Sequence, residues 1–200
     1  YGIYGGGTMT LNNRLKVSAS IRMDKNQNFD YLISPAASLV FTPSPDQTLR
    51  ASFSSAIRNP TLADQYLFYN VGRAILIGNL DGFQDLITVP SIRRYSNTLD
   101  ENDLEFFDID PIRPEKVRTL ELGYRATLGQ LYMDATYYYS FYTDFIGFNL
   151  GVDASFAPTT RLPMDVQAFR VSANATDRVT TQGFSIGLNY YFSNYYVING

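Results

Sequence analysis

The chain has no cysteine, no histidine and no tryptophan, and lysine supplies only three of its 16 basic residues. Without cysteine there is no disulfide framework and no thiolate zinc site. Without histidine a Ser-His-Asp triad and every imidazole-ligated metal site are excluded. Sixteen Lys and Arg stand against 19 Asp and Glu, a net charge of −3, with no polycationic tract for nucleic acid. Long apolar runs are also lacking. The longest, residues 74–77 and 39–41, fall far short of the ~18–20 residues of a membrane helix. No signal peptide opens the chain. It starts at Tyr1-Gly2-Ile3-Tyr4 and stops at Val197-Ile198-Asn199-Gly200. Both ends read as cuts through strands, so a piece of a longer chain is expected. What is abundant instead is Tyr (16) and Phe (14), together 15% of the chain.

Alternation organises these residues. Leu15, Val17, Ala19, Ile21 and Met23 alternate with Lys16, Ser18, Ser20 and Arg22, the period of a strand. The same pattern runs through residues 49–58, 119–128, 131–145 and 183–192. It is weaker at 1–11 and 33–42, where Gly5-Gly6-Gly7 and Pro35 interrupt it. One face is polar and carries charge in mid-strand, at Arg22, Glu121, Arg125 and Asp134. The other is aliphatic in the middle and aromatic toward the ends, as in Tyr137, Tyr139, Phe141, Phe145, Tyr190 and Phe192. Aromatic girdles of this kind mark a barrel wall at the lipid–water interface, and a membrane strand needs only ~9–11 residues. The alternative is a soluble β-sandwich with a Tyr-rich core.

The connections alternate in length. Short turns are expected at Asn12-Asn13, at 43–47, at 128–130 and at Ser193-Asn194. Longer links are expected at 26–31, 59–115 and 149–164. Outer-membrane barrels follow this rule, with short periplasmic turns and long outer loops. The expected fold is therefore all-β, an antiparallel transmembrane barrel contributing about eight strands, the last incomplete. The segment of about 59–115 is its long extracellular loop. A loop that long needs function or its own structure. A helical turn opening at Pro60 is expected in it. A small hairpin is expected from residues 74–77 and 86–89.

Two segments carry a family resemblance. One is Leu49-Arg50-Ala51-Ser52-Phe53-Ser54-Ser55-Ala56-Ile57-Arg58-Asn59-Pro60-Thr61-Leu62, a strand entering a loop through Arg58 and Pro60. The other is Ile112-Arg113-Pro114-Glu115-Lys116-Val117-Arg118-Thr119-Leu120-Glu121-Leu122-Gly123-Tyr124, with Pro114, Glu115, Glu121 and Gly123 at the motif positions. They resemble the C-terminal barrel region of TonB-dependent outer-membrane receptors of the Bacteroidota type. Thr181-Gln182-Gly183-Phe184 and Asn189-Tyr190-Tyr191-Phe192 fit as well. The resemblance implies a 22-stranded, multi-pass barrel in the Gram-negative outer membrane. Its partners would be outer-membrane lipid, an N-terminal plug domain of the same chain, absent here, and the TonB complex acting through that plug. A surface lipoprotein is a further partner to be considered. No cofactor or resident metal is implied.

The residue types themselves leave alternatives open. Arg93 and Arg94 beside Tyr95 can hold an anionic solute, or pair with the acidic run of Asp100, Glu101, Asp103, Glu105, Asp108 and Asp110. That run lacks the turning glycine of a calcium loop. Tyr66, Phe68 and Tyr69 can stack a sugar or an aromatic chelator, or pack the loop onto itself. Pro114 and Glu115 can form a ligand rim or simply fix strand entry. Glu121 and Arg125 can meet a plug or pair across strands. Without histidine a nucleophile–base pair is hard to build, so an outer-membrane lipase or protease is not expected, nor any enzyme. The expected function is a transport receptor importing a scarce solute (siderophore, vitamin, glycan or peptide) with TonB-supplied energy. The alternative is a small self-contained barrel acting as an adhesin or structural protein.

Overall fold

The computed structural model describes residues 1–193 and 196–200. In chain order the elements are β1 (Gly2–Asn12), β2 (Leu15–Asp24), β3 (Leu32–Ser44), β4 (Gln47–Arg58), α1 (Leu62–Tyr66), β5 (Phe68–Asn70), β6 (Ala74–Ile77), β7 (Phe83–Thr88), α2 (Val89–Thr98), a 3-10 turn (Glu101–Asp103), β8 (Phe106–Ile109), β9 (Glu115–Leu128), β10 (Leu131–Thr143), β11 (Ile146–Phe156), β12 (Pro163–Asn174), β13 (Val179–Ser193) and β14 (Tyr196–Asn199). They form two units. The first comprises residues 1–57, 116–143 and 178–200, the second residues 58–115 and 144–177.

The first unit is one eight-stranded sheet in the order β1-β2-β3-β4-β9-β10-β13-β14. It contains the eight strands that the alternation predicts. Register carries one face across them. Met23 pairs Ile33, Ile21 pairs Pro35 and Val17 pairs Leu39. Leu39 pairs Ala51. Farther on, Leu122 pairs Tyr137, which pairs Phe184. Ile21, Ile33, Leu120, Leu122, Phe184 and Ile186 are all exposed. A soluble protein does not leave so continuous an apolar band in water. Lipid covers such a band in a barrel wall, and this decides against the soluble sandwich.

The short turns share one rim. Asn12 Oδ1 accepts the Arg14 N–H, which places the first turn one residue later than Asn12-Asn13. The Thr42 N–H donates to Arg14 O, Thr127 N–H to Asp46 O, and Tyr191 N–H to Gln130 O, tying successive turns side by side. Gly129 takes φ +61 in the β9–β10 turn, where a side chain would be strained. The expected Ser193-Asn194 turn lies partly outside the described residues.

The second unit is a six-stranded sheet in the order β5-β6-β12-β11-β7-β8. Both buried apolar clusters among the described residues belong to it. Leu86, Ile109, Val171 and Ala173 form one. Ile87 and Val152 of the sheet pack with Ile92 and Tyr95 of α2 in the other. Thr88 Oγ1 caps α2 by accepting from Ser91 N–H, and Leu99 ends it in the left-handed region.

Three expectations are corrected here. Residues 74–77 and 86–89 do not make a hairpin with each other: β6 pairs β5 and, in parallel, β12, whereas β7 pairs β8 and β11. The span 149–164 is not a loop throughout. Its first half belongs to β11, which pairs β12 from Ile146↔Asn174 to Phe156↔Pro163. Helix α1 opens with Thr61 as its N-cap, so Pro60 precedes the helix rather than starting it. Thr61 and Asp64 form a reciprocal capping box.

Candidate ligand-binding site

The two motif segments meet in space. The Arg58 guanidinium donates to Glu115 Oε2 at 2.9 Å, from opposite ends of the 57-residue separation. The same oxygen accepts the Ile146 N–H at 3.0 Å. Glu115 is buried and Arg58 about half exposed. Pro60 and Pro114 are buried beside them. The Pro60 carbonyl accepts from the buried Gln65 side chain. These motif residues thus fasten both ends of the 59–114 segment to β11.

Gly123 serves the sheet in another way. A Cβ there would meet Arg50 Nε at 2.9 Å, so its lack of a side chain lets the Arg50 guanidinium lie across β9. Arg50 reaches Asp134 at 2.6 Å, and Arg125 holds the other Asp134 oxygen at 2.8 Å. One carboxylate therefore separates two guanidiniums on the polar face, and Arg50 Nε is left buried without a partner. Asp134→Ala should cost about 1–2 kcal/mol, because these groups are partly screened by solvent. Adding Arg50→Ala should recover part of that loss. Denaturant midpoints of the folded receptor check both, and an additive double variant would show that the three charges are independent. Glu121, directly opposite Tyr138 on the same face, is exposed.

The other predicted contacts separate. Tyr66 on α1 and Phe68 and Tyr69 on β5 are exposed. Arg93 is exposed on α2. Arg94 donates to Glu105 at 2.6 Å, a pairing with the acidic run. Tyr95 is 1% exposed, its hydroxyl donating to Arg161 O and its ring edge-on to Phe156 at 4.8 Å. Its ring is core and offers a solute no surface.

Beside α1 lies a cavity of about 410 Å3, lined by Arg58, Asp64, Leu67, Leu76, Ile77, Phe148 and Arg170 among others. Arg170 of β12 sits 3.8 Å above the Phe148 ring of β11, stacked as a cation on a π-face. The pairs Leu150↔Arg170 and Phe148↔Ser172 place both side chains on one face of the sheet, next to Leu76. Phe148 and Arg170 are not apparent in the sequence. They lie 22 residues apart on strands whose register only the fold sets, though the alternation of Ile146, Phe148, Leu150 and Val152 with Gly147, Asn149 and Gly151 is a strand signal at Phe148. Among the described residues no group of three or more acidic, His or Cys side chains could hold a metal ion.

A strand sheet with an exposed apolar band on one face, charges on the other, short turns along one rim and folded insertions between strands defines the wall of an outer-membrane β-barrel. The chain belongs to the TonB dependent receptor-like β-barrel family, whose model matches residues 1–200. Among the described residues no helix is long and apolar enough to cross a membrane, which says nothing of strands. Solved structures with the same fold include the siderophore receptor PirA from Pseudomonas aeruginosa, 16% identical, with a TM-score of 0.63 over 99% of this chain and 34% of that one. PirA from Acinetobacter baumannii is 15% identical, with a TM-score of 0.61 over 96% and 26%. The hemophore receptor HasR of Serratia marcescens, solved with its hemophore HasA and heme, is 11% identical, with a TM-score of 0.61 over 95% and 31%. No curated protein sequence matches the chain. The chain spans about a quarter to a third of the length of these solved structures. The family consists of outer-membrane receptors and not of enzymes.

Proposed function

We propose that this chain is the wall and outer-loop portion of an active-transport receptor that binds a scarce solute and imports it with energy supplied through TonB. The observation that carries this reading is the match of the barrel family over residues 1–200, joined to a sheet with one lipid-type face and one charged face. The 59–115 segment is the outer loop that meets the solute first, together with β11 and β12. An N-terminal plug in the same polypeptide would close the lumen and carry the TonB contact. The similar solved structures include siderophore receptors, a copper transporter and a hemophore receptor in complex with its hemophore and heme. Their descriptions favour a metal complex over a glycan or a peptide.

The test uses the full-length receptor in a Gram-negative host. Uptake of ferric siderophores should depend on the receptor and fall to background when the inner-membrane energy complex is disrupted. A full-length chain without a plug or TonB box, or uptake that ignores the energy complex, would leave an adhesin or structural barrel as the better reading.

A further inference from the structure

We infer that the cavity bounded by α1, β6, β11 and β12 binds an organic carboxylate carried on an apolar or aromatic body. Its use in uptake rests on the transport reading above; the binding itself does not. The cavity holds about 410 Å3, the size of a small-ligand site.

Three features select the ligand class. The Arg170 guanidinium has its face on the Phe148 ring at 3.8 Å and no carboxylate partner among the described residues. Stacking consumes the face of the group and leaves its N–H rim free, the edge that matches the two oxygens of a carboxylate. Arg58 brings a second guanidinium, with one nitrogen committed to Glu115. Leu67, Leu76 and Ile77 supply an apolar wall beside these donors. A purely ionic ligand would leave that wall in water.

The charge balance narrows the class further. Two acidic groups attend the two arginines. Glu115 is buried under Arg58, and Asp64 Oδ2 accepts both the backbone N–H and the hydroxyl of Thr61. Two cations against two carboxylates give no excess field for a multiply charged oxyanion such as phosphate. The free N–H rim of Arg170 still offers strong directional donors to one carboxylate. A single negative charge on an apolar body matches both facts.

The experiment titrates benzoate, benzamide and inorganic phosphate into the full-length receptor in detergent micelles, read by isothermal calorimetry. Benzoate should saturate. Benzamide, with the same ring and no charge, should bind about tenfold more weakly. Phosphate should show no saturation over the same range. Arg170→Gln should weaken benzoate about tenfold and leave benzamide unchanged. Arg170→Lys keeps the charge and loses the fork, and should fall between native and Arg170→Gln. Arg170 and Phe148 are exposed, so neither lysine nor glutamine at 170 removes core packing. Equal affinity for benzoate and benzamide, phosphate binding as tight as benzoate, or an indifferent Arg170→Gln would each overturn the site. Such a failure beside intact energy-dependent uptake strikes the carboxylate site alone. Saturable benzoate binding without energy-dependent uptake upholds the site and overturns the transport reading.

Discussion

Replacing Gly78 by alanine should detach α1 from its sheet and cost about 3 kcal/mol or more of local stability. The reason is a backbone approach that leaves no room for a methyl group. A Cβ at Gly78 would lie 2.4 Å from the Tyr66 nitrogen, 2.5 Å from the Gln65 carbonyl carbon and 2.7 Å from the Leu67 nitrogen. All three are main-chain atoms, so no side chain can rotate aside. Two hydrogen bonds are stitched through this point. Gly78 N–H donates to Leu67 O at 2.7 Å, and Asn79 N–H donates to Asp64 O at 2.8 Å. Asn79 is wholly buried and extends the connection, its amide donating to Asp110 O and its side-chain oxygen accepting from Gly82 N–H. Amide exchange at Gly78 and Asn79 should accelerate by about a hundredfold or more in the full-length receptor. Gly5→Ala is the control: a Cβ there meets nothing within 4 Å, and exchange should stay as it is. Unchanged protection at Asn79 in Gly78→Ala would show that the corner yields. Because Asp64 and Leu67 line the cavity, benzoate binding should weaken with the same substitution.

The contrast between legible and hidden features follows the range of the interactions that set them. The wall strands were legible because their apolar face is exposed to lipid and their polar face is not, and period 2 in the sequence reports that directly. Leu15 to Met23 needed no partner to be read. Partner choice is another matter. The runs 74–77 and 86–89 each read as strands, yet β6 lies against β12, more than ninety residues on. A search for neighbours in sequence pairs them wrongly with each other. Strand β11 was hidden for a different reason: Ile146, Phe148, Leu150, Val152, Ala154 and Phe156 do alternate with Gly147, Asn149, Gly151, Asp153 and Ser155, but the two glycines and the Pro158 and Pro163 that follow are a composition that reads as loop.

The site was half legible on the same grounds. Arg58, Pro60, Pro114 and Glu115 stand out as motif residues, but only the fold shows that Arg58 and Glu115 hold each other. Tyr95 was misjudged by its neighbours. The adjacent arginines drew it into a ligand reading, while its spacing from Ile92, three residues earlier on α2, marks it as part of a buried helical stripe. Arg50 and Asp134 were each readable as polar-face residues. Their contact spans 84 residues and needed the register of the sheet.

The Arg58–Glu115 pair should respond asymmetrically to substitution, because its two partners differ in burial. The Glu115 side chain is 9% exposed and that of Arg58 53%. Glu115→Ala strands the buried Ile146 N–H without its acceptor, at about 1–3 kcal/mol, while Arg58 turns back into water at little cost. Arg58→Ala does the reverse: it leaves a buried carboxylate facing one amide hydrogen, without its cation. Glu115→Gln should be the mildest single change, since the amide oxygen still accepts from Ile146 N–H. The decisive comparison is the double variant. Arg58→Ala with Glu115→Gln removes the uncompensated charge and should be more stable than Arg58→Ala alone, although it carries one more substitution. Exchange of the Ile146 amide and the denaturant midpoint of the full-length receptor read this order. Equal stability of the double variant and Arg58→Ala would show that water reaches Glu115 freely once the arginine is gone, and that the pair serves the strand entry by shape and not by charge.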